Sequence, residues 1–276
     1  MQSEQQNRFK RRAVDLDDLK HRQQSKRIRR RIFYVSLFAV MCVVFTAVCF
    51  LVFFKIETVT VEGTSRYSDE EIIAAFGVDY GENLYSFDAD ELEQVLVAEL
   101  PYINSVIIER DLPSTVILHI EEKEPSMYVE LSGEQYLLTD DMHILEYTDD
   151  PSKLAGILKL AMEPETVSRC IVGEKLQFAD NRTGDIIAEA YAFIKDAGLV
   201  KRVEYIDANN RFAIYLGLDS KYEVYMGDIV EFDTKLAFAA GIADKLATLE
   251  EDKGQGKIDV SDVEKGIFTP EYQKNG

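Results

Sequence analysis

Cysteine and histidine are scarce in this sequence, three of each in 276 residues. Cys42 and Cys49 fall inside one long apolar run, seven positions apart and so on one helical face, and Cys170 is the remaining thiol. A single Cys outside that run makes no intramolecular disulfide and no zinc cluster. The pair in the run reads first as small polarisable packing residues, with acylation or a helix contact as other uses. Of the histidines, His21 precedes the run, His119 sits on the outward face of a predicted strand and His143 lies beside a predicted turn. No Ser/His/Asp or Cys/His set, G-x-S-x-G or S-x-x-K motif is legible around a nucleophile. Gly254-x-Gly256-Lys257 lacks the spacing and the Ser/Thr of a phosphate loop. Asp140-Asp141 and Asp149-Asp150 lack the alternating ligands of a calcium loop and read as turns. The expectation is a chain that is not an enzyme and has no cofactor and no metal.

Basic charge is also missing from most of the chain. Residues 1–31 hold 11 Lys/Arg against 4 Asp/Glu, a net of +7, so the whole-chain −19 leaves −26 for residues 32–276. That balance excludes nucleic acid and anionic headgroups as partners of the larger part. It gives a solvated acidic surface, and it favours a basic partner or cations where a partner binds.

Against these absences stands one feature, the 23 uncharged residues from Ile32 to Phe54 that follow Lys26, Arg27, Arg29, Arg30 and Arg31. At a helical rise of about 1.5 Å per residue, such a run crosses a hydrocarbon core of about 30 Å with some tilt. It is longer than the apolar part of a signal peptide, and no small-x-small cleavage site follows. Its polar members, Ser36 and Thr46, can bond back to the helix. The charge bias predicts a cytoplasmic N-terminus and an outward C-terminal part, with the five basic residues at the inner membrane surface. Residues 1–31 read as a basic tail, disordered or a short surface helix, and 32–54 as a membrane helix.

From Lys55 onward 222 residues remain, enough for two domains. Ile56 to Glu62 alternates as a strand, and Gly63-Thr64-Ser65 turns the chain. Ser68 with Glu71 is a capping box for a helix that Gly77 ends; Asp88 with Glu91 repeats the pattern for a helix with Leu92, Val95, Leu96 and Leu100 on its apolar stripe. Strands follow at Ile103–Arg110 and Thr115–Glu121, the second with Val116, Leu118 and Ile120 inward. A hairpin is predicted from Gln135–Thr139 and Ile144–Tyr147, and a short apolar piece at 154–158. Thr183 is the expected cap of a helix carrying Ile187, Ala190 and Ile194. Strands at 202–207, 211–217 and 221–226 form an antiparallel meander turned at Asn209-Asn210 and Asp219-Ser220. A long amphipathic helix runs through Leu236, Ala239, Ala243 and Leu249, and closing strands lie at 257–260 and 266–269.

Strand, helix, helix, strand, strand directly after a basic tail and one membrane helix resembles a POTRA domain. The segments KIETVTVEGTSRYSDEEI and YINSVIIERDLPSTVILHIEEKEP are similar to the FtsQ/DivIB family of bacterial cell-division proteins. So are YMGD at Tyr225–Asp228, followed by Lys235-Leu236, and GKIDV before the closing strand. The resemblance covers about residues 26–272. It departs at Ser261-Asp262, where the family carries a basic-aromatic pair, and in a short tail after Phe268. It implies an α+β fold: a transmembrane helix, a POTRA-like βααββ domain at 55–126, and a second mixed domain at 127–262 with an antiparallel meander and flanking helices. Residues 263–276 then form a closing strand and short tail. It also implies a non-enzymatic scaffold of the division septum in the cell membrane. Its expected partners are FtsL-like and DivIC/FtsB-like bitopic proteins and the septal penicillin-binding protein that makes peptidoglycan. A POTRA-bearing export or chaperone factor is the alternative.

The candidate contacts are surfaces. An edge left by the final strands can take up an extended partner by backbone hydrogen bonding. Ile258, Val260, Ile267 and Phe268 are its candidate apolar anchors, or else they complete the core. Tyr215, Tyr222 and Tyr225 on neighbouring strands form a candidate aromatic patch, or are ordinary half-buried strand tyrosines.

Overall fold

The computed structural model describes residues 29–248 and 255–270. Lys26, Arg27, Leu249 and Gly254 lie outside the described residues, as does the tail through His21. The described chain packs as two compact units. One comprises the residues up to Val59 with Val78–Phe87 and Arg110–Val116; the other comprises Thr60–Gly77, Asp88–Glu109 and everything from Ile117.

The first unit is led by helix α1, Arg29–Phe53, 25 residues whose most apolar 18-residue stretch has a mean hydropathy of 2.8 and none of it buried. It is long and apolar enough to cross a membrane. Ser36 Oγ donates to Phe33 O and Thr46 Oγ1 to Cys42 O, each at 2.9 Å, so both hydroxyls are satisfied within the helix. At its far end Asn83 Nδ2 donates to the otherwise orphaned carbonyl of Phe50 (3.1 Å). The N–H of Leu84 bonds Phe54 O, and those of Ile56 and Gly81 bond Glu82 O and Ile56 O, all at 2.8 Å. Four short bonds therefore tie the exit of α1 to the 78–87 loop.

The elements that follow are β1 (Thr58–Glu62), α2 (Asp69–Phe76), α3 (Ala89–Glu99), β2 (Ile103–Asp111) and β3 (Thr115–Glu122). The strands form one sheet in the order β1-β3-β2. The Ser68–Glu71 capping box is complete, and Gly77 closes α2 in the left-handed conformation at φ +66°. Asp88 also caps α3, but through the N–H of Asp90 (3.0 Å) rather than a reciprocal box with Glu91. On α3 only Leu96 is fully buried, and Val95 stays exposed. The turn after β1 is clasped by one carboxylate. Glu122 accepts from Thr64 Oγ1, Ser65 N, Arg66 N and Ser65 Oγ at 2.7–3.0 Å. Partial desolvation pushes that acid's pKa up, but the four donors outweigh it and hold the group at about 2.

The second sheet has nine strands in the order β14-β13-β12-β11-β10-β7-β4-β5-β6. They are β4 (Met127–Leu131), β5 (Glu134–Leu138), β6 (Ile144–Thr148), β7 (Leu158–Leu160), β10 (Val203–Asp207), β11 (Ile214–Leu218), β12 (Tyr222–Gly227), β13 (Gly256–Asp262) and β14 (Lys265–Pro270). A separate pair, β8 (Val167–Arg169) with β9 (Gln177–Phe178), stands outside it. The meander β10-β11-β12 is antiparallel, and Asp219 and Ser220 turn it with φ of 58° and 54°, the two positive values a tight hairpin turn demands. Around it the sheet is mixed, because β7 pairs in parallel with β4 and β10, and β13 with β12. Parallel neighbours need a crossover. Helix α4 (Thr183–Asp196) lies in the one between β7 and β10, α5 (Phe232–Ala247) in the one between β12 and β13, and β5 and β6 in the one between β4 and β7. Both helices bury apolar residues in one core: Ile187, Ala190 and Ile194 from α4, and Phe232, Leu236, Ala239 and Ala243 from α5. Thr183 is the first helical residue and not the cap; Asp180 Oδ1 instead takes the Arg182 N–H (3.0 Å).

Among the described residues, one charged side chain enters the core region. Lys235 is 4% exposed, and its ammonium meets Asp228 Oδ1 and Asp228 O, both at 3.1 Å. The Asp of the YMGD stretch thus holds the lysine seven residues on.

Candidate partner-binding edge

A sheet's two edges differ only in what covers them. At β6 the chain from 171 to 175 comes alongside: Ile144 N donates to Glu174 O (2.9 Å), Gly173 N donates to Ile144 O (2.8 Å), and His143 bridges Lys175. The opposite edge is β14, and no described strand pairs with its outer side.

Strand alternation gives β14 two faces. Lys265, Ile267 and Thr269 are exposed, whereas Gly266, Phe268 and Pro270 are half-buried. The Phe268 ring packs against the core and lies edge-on to Tyr222, with centroids 6.0 Å apart. A side chain on Gly266 would run into Ile242 and Phe238 of α5, which marks that face as the helix-covered one. Ile267 therefore points away from α5, and it is 45% exposed.

The ladder registers extend this open face inward. Asp207, Tyr215, Tyr225, Asp259 and Ile267 stand opposite one another in turn, from β10 to β14. The next row holds Tyr205, Gly217, Glu223, Lys257 and Thr269. Tyr215 and Tyr225 lie 4.9 Å apart between ring centroids, tilted by 35°, and Lys257 Nζ pairs with Glu223 at 2.5 Å. The Tyr205 ring occupies the space a Cβ on Gly217 would need, so glycine there lets the aromatic lie flat on the sheet. Burial, with Glu223, Asp207 and Glu204 nearby, pushes the Tyr205 phenol above its ordinary pKa. Between β11 and β14 lies an open groove of about 290 Å³, floored by Tyr215, Tyr225 and Asp259 and rimmed by Lys257, Ile267 and Thr269. Asp262 ends β13, and Glu264 sits in the turn that leads into β14.

The sequence candidates divide accordingly. Ile258 and Val260 are fully buried, because α5 covers their side of β13, so they complete the core and do not reach a partner. Tyr222 is 8% exposed and also belongs to the core. Tyr215 and Tyr225 are half-buried and share the open face with Ile267, while Phe268 is turned inward. Arg29, Arg30 and Arg31 are exposed on the first turn of α1. Asp259, Glu223 and Lys257 join the face without having been singled out; alternation with Ile258 and Val260 was the signal that places them there.

Elsewhere the reactive side chains are engaged otherwise. His119 lies between Glu109 (3.0 Å) and Glu62 (3.3 Å), and His143 pairs with Asp141 (2.9 Å). Burial and the Glu134 charge push the Cys170 thiol up, the opposite of an activated thiolate. Among the described residues no group of three or more His, Cys, Asp or Glu is arranged to hold a metal ion.

Comparison with known proteins adds the following. A family model described as "POTRA domain, FtsQ-type" matches residues 54–123. Cell division protein FtsQ of Corynebacterium glutamicum is 26% identical over 183 residues, covering 64% of this chain and 73% of that protein. Cell division protein DivIB of Clostridium acetobutylicum is 25% identical over 160 residues, 58% of this chain and 62% of that protein, less than two thirds of its length. The solved extracytoplasmic domain of DivIB from Geobacillus stearothermophilus is 21% identical, with a TM-score of 0.29, covering 48% of this chain and 99% of that one.

Proposed function

We propose that this chain, which belongs to the FtsQ/DivIB family of cell-division proteins, is a non-enzymatic scaffold of the division septum that captures bitopic partners on its β14 edge. Its α1 anchors it in the cell membrane with the N-terminus inside, the side that Arg29, Arg30 and Arg31 favour. Residues 55–126 and 127–262 are its two outer domains. The partners are FtsL-like and DivIC/FtsB-like proteins, and through them the septal penicillin-binding protein.

One observation carries the reading: the start of β6 is engaged at Ile144 by residues 173 and 174, whereas no described strand pairs with the outer side of β14, where Ile267 is exposed. An extended segment can continue the sheet there, taking affinity from main-chain hydrogen bonds and specificity from alternate side chains. On the open face its side chains would lie beside Ile267 and Thr269, and a long basic residue would find Asp259, Asp262 and Glu264. Two-dimensional confinement raises the effective concentration of such weak contacts.

Ile267 is the residue to change, because Phe268 packs on the core and its loss would confound binding with folding. Ile267→Asp in the full-length chain is expected to weaken co-purification of the bitopic partners from membranes of the source bacterium at least about tenfold, about 1.4 kcal/mol. Its melting temperature should match the parent. Full capture by a folded Ile267→Asp variant rejects the edge as the binding element.

A further inference from the structure

We propose that the loops at the exit of α1, residues 78–87 and 112–114, are set into the headgroup layer of the outer leaflet, with Tyr80, Tyr85 and Leu112 as the inserted side chains. This rests on the reading of α1 as a membrane span. With Ile32 at the inner boundary, a hydrocarbon core of about 30 Å is used up after about 20 helical residues, which puts Phe50 at the outer boundary. The 78–87 loop reaches back to that level. Asn83 caps the Phe50 carbonyl, and the Tyr85 ring lies 5.2 Å from the Phe50 ring and 6.1 Å from the Phe54 ring. Ser114 O accepts from Glu57 N and Thr58 N (2.9 and 3.3 Å), which ties the second loop to the same stretch of chain.

These loops expose apolar surface where a water-facing loop would not. Tyr80 is 60%, Tyr85 48% and Leu112 53% exposed. An aromatic ring with a polar tip is the side chain that settles at a membrane–water boundary. The loop is braced for the purpose: Arg110 donates to Leu84 O (2.9 Å) and Phe87 O (3.2 Å), with its guanidinium 5.6 Å from the Tyr85 ring and 4.6 Å from that of Phe87. The charges around it are mixed, Lys55 and Arg110 against Asp79, Glu82 and Asp111. Insertion of rings, not attraction to anionic lipid, is therefore the binding mode, and salt should leave it unchanged.

The absence of tryptophan makes the test clean. Single-Trp versions of the full-length chain, Tyr85→Trp and Tyr80→Trp, are reconstituted in phosphatidylcholine vesicles whose acyl chains are brominated either near the glycerol end or near the middle. Phe45→Trp within α1 and Phe212→Trp on an exposed loop serve as references. The expected result is that bromine near the glycerol end lowers Tyr85→Trp emission about twofold, as for a ring at headgroup depth. Bromine near the chain middle should do so less, and Phe45→Trp should show the reverse order. Tyr85→Trp and Tyr80→Trp as unquenched as Phe212→Trp, with Phe45→Trp quenched, overturns the proposal and leaves the anchor intact. An unquenched Phe45→Trp removes the membrane span itself, and the proposal with it.

Discussion

Gly63→Ala is expected to destabilise the βααββ domain by about 3 kcal/mol or more, as two independent penalties fall on one methyl group. Gly63 has φ +87°, a conformation that costs a residue with a Cβ about 1 kcal/mol by itself. The added Cβ would also fall inside the van der Waals shell of the Ile120 carbonyl. That carbonyl cannot step aside easily. It belongs to the central strand β3, where Leu118 and Ile120 are buried. The next residues, Thr64 to Arg66, are pinned to Glu122, so the turn cannot relax outward without giving up those bonds. A urea titration should show a lower midpoint with an unchanged slope. A loss below about 1 kcal/mol would mean that the turn is far softer than its geometry.

Asp228→Ala is expected to cost about 3 kcal/mol, because it strands the ammonium of Lys235 in the core with only a carbonyl for company. The carboxylate also accepts the Val230 N–H at 3.2 Å, and thus helps shape the chain into α5. Replacing both partners should be milder than removing one. Asp228→Ala with Lys235→Met is expected to recover more than half the loss, since Met fills the stem's volume without a charge to satisfy. Equal stability of the single and double variants would show that Lys235 finds another partner or water, and that the pair contributes little.

What the sequence discloses and what it hides follow from the range of the interactions. Local chemistry was legible: the Ser68–Glu71 box, Gly77 in its left-handed cap, the alternation of Val116, Leu118 and Ile120, and the Asp219-Ser220 turn all act within a few residues. Two local expectations failed: Asp88 caps α3 through the Asp90 N–H without a reciprocal box with Glu91, and α4 starts behind Arg182, which has no side-chain cap, so that Thr183 is already helical. The mixed part of the second sheet was not legible. Strand β7 has three residues, too few for a period, and its partners β4 and β10 lie far off in sequence. Strand β4 does alternate, with Met127 and Val129 buried and Tyr128 and Glu130 between them, but five residues are a weak signal. At the edge, alternation separated Ile258 and Val260 from Asp259 without telling which face α5 would cover. That choice is tertiary. It turned two of the candidate anchors into core and left Ile267 in the open.

The most direct test of the edge as a partner site is photo-crosslinking in dividing cells, with a photoreactive side chain placed at Ile267 or Thr269 on β14 and, for comparison, at Tyr147 on β6. The account predicts adducts with short bitopic membrane proteins from the two β14 positions and none from Tyr147. Adducts from Tyr147 with β14 silent would contradict it, and would move partner capture to the other edge of the sheet.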